Sequence, residues 1–516
     1  MTVTPASFLP TLLDLLGPPR PLEEGQRPDG DFAPRLMIDG EVRDAADDGT
    51  FDNLNPATGE TIGAVADGTS ADLQAAVGAA RRAFGQTRWR HDCDLRAKCL
   101  GQLHESLARH AAELRRALVL EIGCPVRLAN GVQVDEAIEK FAFFVAAARS
   151  GGEEVHLADA SSGGLRSIRR IAREPIGVVG AVTPWNIPLD ISLAKIGGAL
   201  AAGNAVVHKP APDSPWTAAI VGRLVAEETD IPAGIFNVVM SSDHTLGAAL
   251  TADPRVDAIT FTGSTATGRR VMAAAAEEIK RVHLELGGKS PNLILDDVDF
   301  ERVVPVAAAL GCFNAGESCI LPSRLLVPEA QLDRCIDLAA AGMNAVTVGD
   351  PLSVDTFMGP LINATHRERV LAAIEDGLGA GGEVVTGGGT PPHLDAGFYV
   401  EPTLIAGACP DSALIQQEIF GPVVCVQSYR DLDEALALAN GTPFGLAAYV
   451  WSGDVDRAQG VARELRAGMV GINGGQFTGA EMPFGGVGQS GIGREWGALG
   501  VEEFQEVKTI ATGVAR

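Results

Sequence analysis

From position 176 the chain alternates short runs of β-branched and apolar residues with segments long enough for helices. The strand-like runs fall at 176–182, 205–208, 236–239, 258–262 and 282–286, and helix-length patterns fill 188–201, 216–228 and 265–278. Such short runs, rich in β-branched residues, suit strands. Their regular separation by helices predicts right-handed strand–helix–strand units and a parallel sheet covered on both sides. Upstream, helical patterns dominate 70–148 after a turn at Asn55-Pro56-Ala57-Thr58-Gly59. A second α/β stretch runs from 287 to 473, with helical segments at 302–310 and 329–340 and a strand at 423–429, and reads as a separate lobe. Residues 1–33 hold a short apolar run (8–16) followed by Pro18, Pro19 and Pro21, which predicts a partly helical or disordered extension. Arg166, Arg169, Arg170 and Arg173 form a basic island, expected to be a charge-protected edge strand in preference to a specific anion site, and able to pair with another subunit.

Composition narrows the functional classes. The 516 residues are 46% hydrophobic and 21% charged, the balance of a globular enzyme, and no apolar run reaches the roughly 18 residues a bilayer span needs, so no membrane is expected. A formal charge of -25 disfavours nucleic acid as a partner. The eight cysteines are scattered without metal-ligand spacing, which predicts neither a metal site nor a disulfide scaffold. With no basic leader and apolar stretch at the N-terminus, a reducing cytoplasm is expected.

Against that background two short turns carry chemistry. Cys319 closes Phe313-Asn314-Ala315-Gly316-Glu317-Ser318-Cys319, and Glu285 lies in Leu284-Glu285-Leu286-Gly287-Gly288-Lys289. A thiolate adds to electrophilic carbon, and a carboxylate can then activate the water that releases the covalent intermediate. Alone, a free cysteine is more often a small buried hydrophobe and a glutamate a solvated side chain. A third turn, Gly263-Ser264-Thr265-Ala266-Thr267-Gly268, follows the 258–262 run and opens a helix, where unpaired N–H groups could meet a pyrophosphate. It departs from G-x-G-x-x-G and by itself equally fits an ordinary strand-to-helix turn.

Taken in order, Thr183-Pro184-Trp185-Asn186-Ile187-Pro188, Lys209-Pro210, the Gly263–Gly268 turn, the Glu285 and Cys319 motifs, Glu418-Ile419-Phe420-Gly421-Pro422 and Pro483-Phe484-Gly485-Gly486 resemble the aldehyde dehydrogenase superfamily, from about Asn55 to Val507. The resemblance implies an α/β protein with a Rossmann-like parallel-sheet cofactor domain (34–160 and 175–286), an α/β catalytic domain (287–480) and a small bridging β oligomerisation element (161–174 and 496–516). It implies oxidation of an aldehyde to the acid with NAD or NADP through a thiohemiacetal and a thioester, in a homodimer or homotetramer. Cys319 would be the nucleophile, Glu285 the base, and Asn186 with the Cys319 N–H the oxyanion donors. Cofactor contacts would come from Thr183, Pro184, Trp185, Gly263, Ser264, Gly268, Leu286 and Gly287, with Lys209 and position 212 at the adenosine ribose, Glu418 at the nicotinamide ribose and Phe420 against the nicotinamide.

Three positions depart from the family pattern. Pro212 stands where a ribose-binding glutamate is frequent, Glu317 where glutamine is common two residues before the nucleophile, and Gly488 where a lysine is usual. Pro212 opens the choice between NAD and NADP, and Glu317 would raise the thiol pKa only if its charge faced Cys319. Ala194 suggests room in the substrate passage, and Asp190 is expected there as a substrate-facing charge or a solvated residue at its mouth. The aldehyde itself is not legible. A coenzyme-A-acylating relative is disfavoured by retention of Glu285, and a non-enzymatic member of the fold by retention of both the nucleophile and the cofactor turn.

Overall fold

Five parallel strands at the centre of an eight-stranded sheet order the first half of the chain. In a computed structural model, which describes residues 13–22, 34–150, 154–162 and 165–515, the sheet runs Gly491–Ile492, Arg281–Glu285, Ala258–Thr262, Val178–Thr183, Ala205–Pro210, Phe236–Val238, Leu36–Ile38, Glu41–Arg43. Strands that are apolar on both faces end up buried on both faces: every residue of Ala205–Pro210 and five of the six in Val178–Thr183 are buried. The helices Pro188–Ala202, Pro215–Glu228 and Thr265–Ala276 connect them. Parallel pairing of Thr262 with Glu285 and of Phe261 with Val182 brings three strand C-termini to one edge. That edge of an open parallel sheet is where ligands bind.

The second lobe is a seven-stranded sheet, ordered Glu383–Thr386, Thr403–Ala406, Val423–Tyr429, Arg324–Pro328, Pro291–Ile294, Ala447–Trp451, Met469–Ile472, and parallel except for its first pair. Here the chemistry-bearing segments come before their strands. Cys319 precedes Arg324–Pro328, Glu418 and Phe420 precede Val423–Tyr429, and these two strands pair side by side, with Arg324 opposite Cys425. The C-terminal edge of one sheet therefore faces loops at the N-terminal edge of the other.

Several expectations change. The Arg166–Arg173 strand is central, not an edge: Leu165–Pro175 lies between Val155–Ser162 and Gln505–Ala515 in a three-stranded sheet. That sheet begins earlier than the 161–174 segment expected from sequence. Its arginines pair with Asp159, Glu154 and Glu502. Residues beyond 480 return to the first lobe, where Gly491–Ile492 pairs antiparallel with Arg281–Glu285. Of the N-terminal extension, 1–12 and 23–33 lie outside the described residues, whereas Leu13 and Leu16 are buried and the Arg127 guanidinium donates to the Leu13 carbonyl at 2.7 Å. Among the described residues no helix is long and apolar enough to cross a membrane.

Candidate active site

The loop before Cys319 is bent by three consecutive residues in the left-handed region, Asn314 (φ 50°), Ala315 (φ 56°) and Gly316 (φ 75°). Such a conformation costs about 1 kcal/mol or more at each non-glycine residue, so the surroundings must hold it. The Asn314 amide donates to the carbonyls of Asn186 and Glu317, both at 3.1 Å, and accepts from Gln133 Nε2 at 3.2 Å. Asn186 Nδ2 donates to the Glu317 carbonyl at 3.0 Å. Gly316 is obligatory, since an added Cβ would lie 2.0 Å from the Gly421 backbone. Cys319, half-buried, emerges from this turn. Cys312, seven residues earlier, is buried before the kink with its sulfur 3.6 Å from Met343 Sδ.

Glu285 approaches from the opposite side, at the end of its strand. Its Oε1 is 3.2 Å from His283 Nε2, and Oε2 has no hydrogen-bond partner among the described residues. Beneath it Lys195 Nζ contacts Glu495 Oε1 at 2.5 Å and Thr260 Oγ1 at 3.0 Å. Burial, and then the charge of Glu495, raise the Glu285 carboxyl well above the usual carboxylate range. Burial likewise pushes the Cys319 thiol up, reinforced by the carboxylates of Glu418 and Glu285. The resting thiol is therefore neutral, and it lines the same cleft as a carboxylate whose proton affinity is also raised.

That cleft, of about 300 Å³, is lined by Pro184, Trp185, Asn186, Thr262, Gly263, Ser264, Glu285, Leu286, Gly287, Cys319, Glu418 and Phe420, together with Asn363, Thr365, His366 and Arg369. The last four carried no sequence signal read in advance. His366 Nε2 donates to the carbonyl of Phe420 at 2.7 Å and so props a residue at φ 62°, with Trp185 packed edge-on at 5.5 Å from each ring. Glu418 Oε1 accepts from the Gly288 N–H at 2.9 Å, and burial pushes its carboxyl up to about 7. Ser264 caps the helix Thr265–Ala276 by accepting from the Thr267 N–H, so the helix N-terminus opens onto the cleft. Thr262 Oγ1 is buried there without a partner among the described residues. A helix N-terminus beside an unsatisfied hydroxyl, with Glu418 opposite, suits a dinucleotide.

Four expected cofactor residues do not line this cleft. Thr183 is buried against His208 (2.9 Å), and Gly268 lets the helix approach Leu286, whose Cδ2 a Cβ would meet at 2.5 Å. Lys209 is buried on the neighbouring strand, donating to the Pro210 and Ser241 carbonyls, and Pro212 follows it. Glu317 turns away from the thiol: its Oε1 accepts from the Ile362 N–H at 3.0 Å and lies 3.5 Å from His366 Nε2. Gly488 sits at φ 64° in a turn whose Ser490 hydroxyl donates to the Gly287 carbonyl at 2.8 Å. Asp190 is neither free nor solvated; it pairs with Lys140 at 2.5 Å, whose ammonium lies 4.7 Å from the centre of the Trp496 ring.

The model of the aldehyde dehydrogenase family matches residues 43–510. The chain is 40% identical to a 3-succinoylsemialdehyde-pyridine dehydrogenase of a Pseudomonas species (89% of this chain, 94% of the relative) and 38% identical to the betaine aldehyde dehydrogenase of Bacillus subtilis (92% and 96%). Among solved structures it is similar to a mutant of aldehyde dehydrogenase C from Pseudomonas syringae crystallised with NAD+ and octanal (38% identity, TM-score 0.87, 94% of this chain and 98% of that one). The NAD+ complex of an aldehyde dehydrogenase from Bacillus cereus aligns with a TM-score of 0.90 at 34% identity, over 96% of this chain and all of that one. With this match over most of its length, and a thiol, a carboxylate and a dinucleotide-shaped cleft at one sheet edge, the chain belongs to the aldehyde dehydrogenase family.

Proposed function

We propose that this aldehyde dehydrogenase oxidises its substrate with Cys319 as nucleophile, Glu285 as general base and Asn186 with the Cys319 N–H as oxyanion donors. The observation that carries the reading is the placement of Cys319, Glu285 and Asn186 on the wall of one cleft. Because burial keeps the thiol neutral, attack on the aldehyde carbon gives up the thiol's proton to solvent, which leaves Glu285 free for the hydrolytic step. Sulfur then bonds to the carbonyl carbon, and the oxygen takes up negative charge toward the fixed donors. Gly263, Ser264, Leu286, Gly287, Glu418 and Phe420 would hold NAD(P)+, which when bound would supply the acceptor for the hydride leaving that carbon. Glu285 next takes a proton from water, which adds to the thioester and releases the carboxylic acid and the free thiol.

Lys209, three residues before Pro212, sits among Asp243, Asp213 and Asp67, which bear on its charge. NAD is therefore the favoured cofactor and NADP a slower alternative. The domain division is proposed as a cofactor lobe completed by residues near 491, a catalytic lobe of 287–480 and a three-stranded sheet for subunit contact. The exposed Val155, Leu157 and Val507 on that sheet support a homodimer or homotetramer. All eight cysteines are free, which suits a reducing cytoplasm. The direct test is formation of NADH or NADPH from a panel of aldehydes, with and without coenzyme A. Acid formation independent of coenzyme A supports the hydrolytic reading, and strict dependence on it would replace hydrolysis with acyl transfer.

A further inference from the structure

Below Glu285 a hydrogen-bond chain runs in one direction only. A lysine has donors and no acceptor, so Lys195, at 3.0 Å, donates to Thr260 Oγ1. The Thr260 hydroxyl must then send its own proton elsewhere, and His283 Nδ1 lies 3.1 Å away. A ring nitrogen that accepts is unprotonated, which puts the proton of a neutral imidazole on Nε2, 3.2 Å from Glu285 Oε1. Burial, with the charges of Lys195 and Arg494, holds the His283 pKa well below its ordinary value and keeps the ring neutral. The ring is closely packed: the Gly493 backbone approaches so near that a Cβ there would lie 2.4 Å from its Cδ2, and the Phe504 ring stands edge-on to it.

We propose that His283 is a positioning residue for the reaction, donating through Nε2–H to Glu285 so that Oε1 stays turned inward and Oε2 is left to take the proton from water. The proposal rests on Glu285 being the general base. Glu285 also faces Glu495, Glu503, Lys195, Arg494 and the Cys319 thiol. Replacing a neutral His283 alters none of those charges, so any change in the titration of Glu285 reports the lost hydrogen bond. Loss of a donor destabilises the carboxylate, and its pKa rises.

The experiment uses p-nitrophenyl acetate, which acylates a thiol without cofactor: the p-nitrophenol burst reads acylation, and the steady rate after it reads hydrolysis. In His283→Leu the acid limb of the steady rate moves up by about one to two pH units, the size expected for one hydrogen bond to a charged acceptor. The burst amplitude stays at the wild-type level. In His283→Gln, whose amide N–H replaces Nε2–H, the limb stays within roughly 0.3 unit of wild type. Should His283→Leu fail to fold, Thr260→Val, which frees the imidazole tautomer, shifts the limb in the same direction by less. A wild-type acid limb in the folded leucine variant or, in its place, the valine variant would overturn the proposal, as would a glutamine variant displaced as far as leucine. Wild-type hydrolysis by Glu285→Gln would instead overturn the assignment of the base, whereas slow hydrolysis by that variant beside an unshifted His283→Leu removes His283 alone.

Discussion

On the proposed reading cofactor choice turns at Lys209, a buried cation at a strand end that feels the charges of three aspartates. Burial brings its ammonium down to about 8, with Asp243, Asp213 and Asp67 pulling it back up. A cation with a lowered pKa is charged below that value and loses its charge as pH rises through it. The KM for NADP should therefore rise by roughly tenfold between pH 7 and pH 9, while the KM for NAD changes little. At neutral pH the kcat/KM ratio should favour NAD by no more than roughly two orders of magnitude, under about 3 kcal/mol, and Pro212→Glu should widen it. Steady-state kinetics with both cofactors across that range checks both statements; a pH-independent KM for NADP would remove Lys209 from phosphate recognition. Cys319 and Glu285 carried a signal as a thiol and a carboxylate beside glycine-marked turns, whereas Asn186 was legible only through the order of the family's motifs. Gln133, Asn314 and the Lys195–Glu495 pair were not, since their partners lie 181 and 300 positions away.

At the level of elements, two glycines separate what a turn must do from what a packing contact must do. Gly316→Ala places a Cβ 2.0 Å from backbone at φ 75°, and neither fault can relax locally. It should destabilise the fold by more than the roughly 1–3 kcal/mol of ordinary overpacking and abolish acylation, as read by thermal melting and burst amplitude. Gly268→Ala meets only the end of the Leu286 side chain, at 2.5 Å. That clash pushes Leu286 toward the cleft, so the KM for NAD should rise several-fold, within the same roughly 1–3 kcal/mol, with little loss of kcat. An unchanged KM would mean that Leu286 finds another rotamer. Strand positions such as Ala258–Thr262 and Val423–Tyr429 were readable because runs buried on both faces are rich in apolar and β-branched residues. The two-residue strand Gly491–Ile492 is too short to carry one. The Leu165–Pro175 strand read as an edge because its arginines looked solvated, whereas they pair with Asp159, Glu154 and, from the helix Gly497–Glu502, Glu502.

Across the whole molecule, a fully buried ion pair, Lys195 with Glu495, ties the helix Pro188–Ala202 to the C-terminal segment that returns to the first sheet. Removing one partner leaves the other buried and uncompensated, so Lys195→Ala should cost about 3–5 kcal/mol in denaturant unfolding. A much smaller loss would mean that Glu495 takes up a proton at little cost. The three-stranded sheet leaves Val155, Leu157 and Val507 exposed, and sedimentation at micromolar concentration should give a dimer or tetramer, with a monomer contradicting that assembly. The central claim is that chemistry passes through a thioester on Cys319 which Glu285 resolves. Mass spectrometry of Glu285→Gln, quenched after one turnover with NAD+ and an aldehyde that the wild-type enzyme oxidises, tests it most directly. The peptide bearing Cys319 should carry the acyl mass and lose it slowly; an acyl group on Cys312, or full turnover with no adduct, would contradict the account.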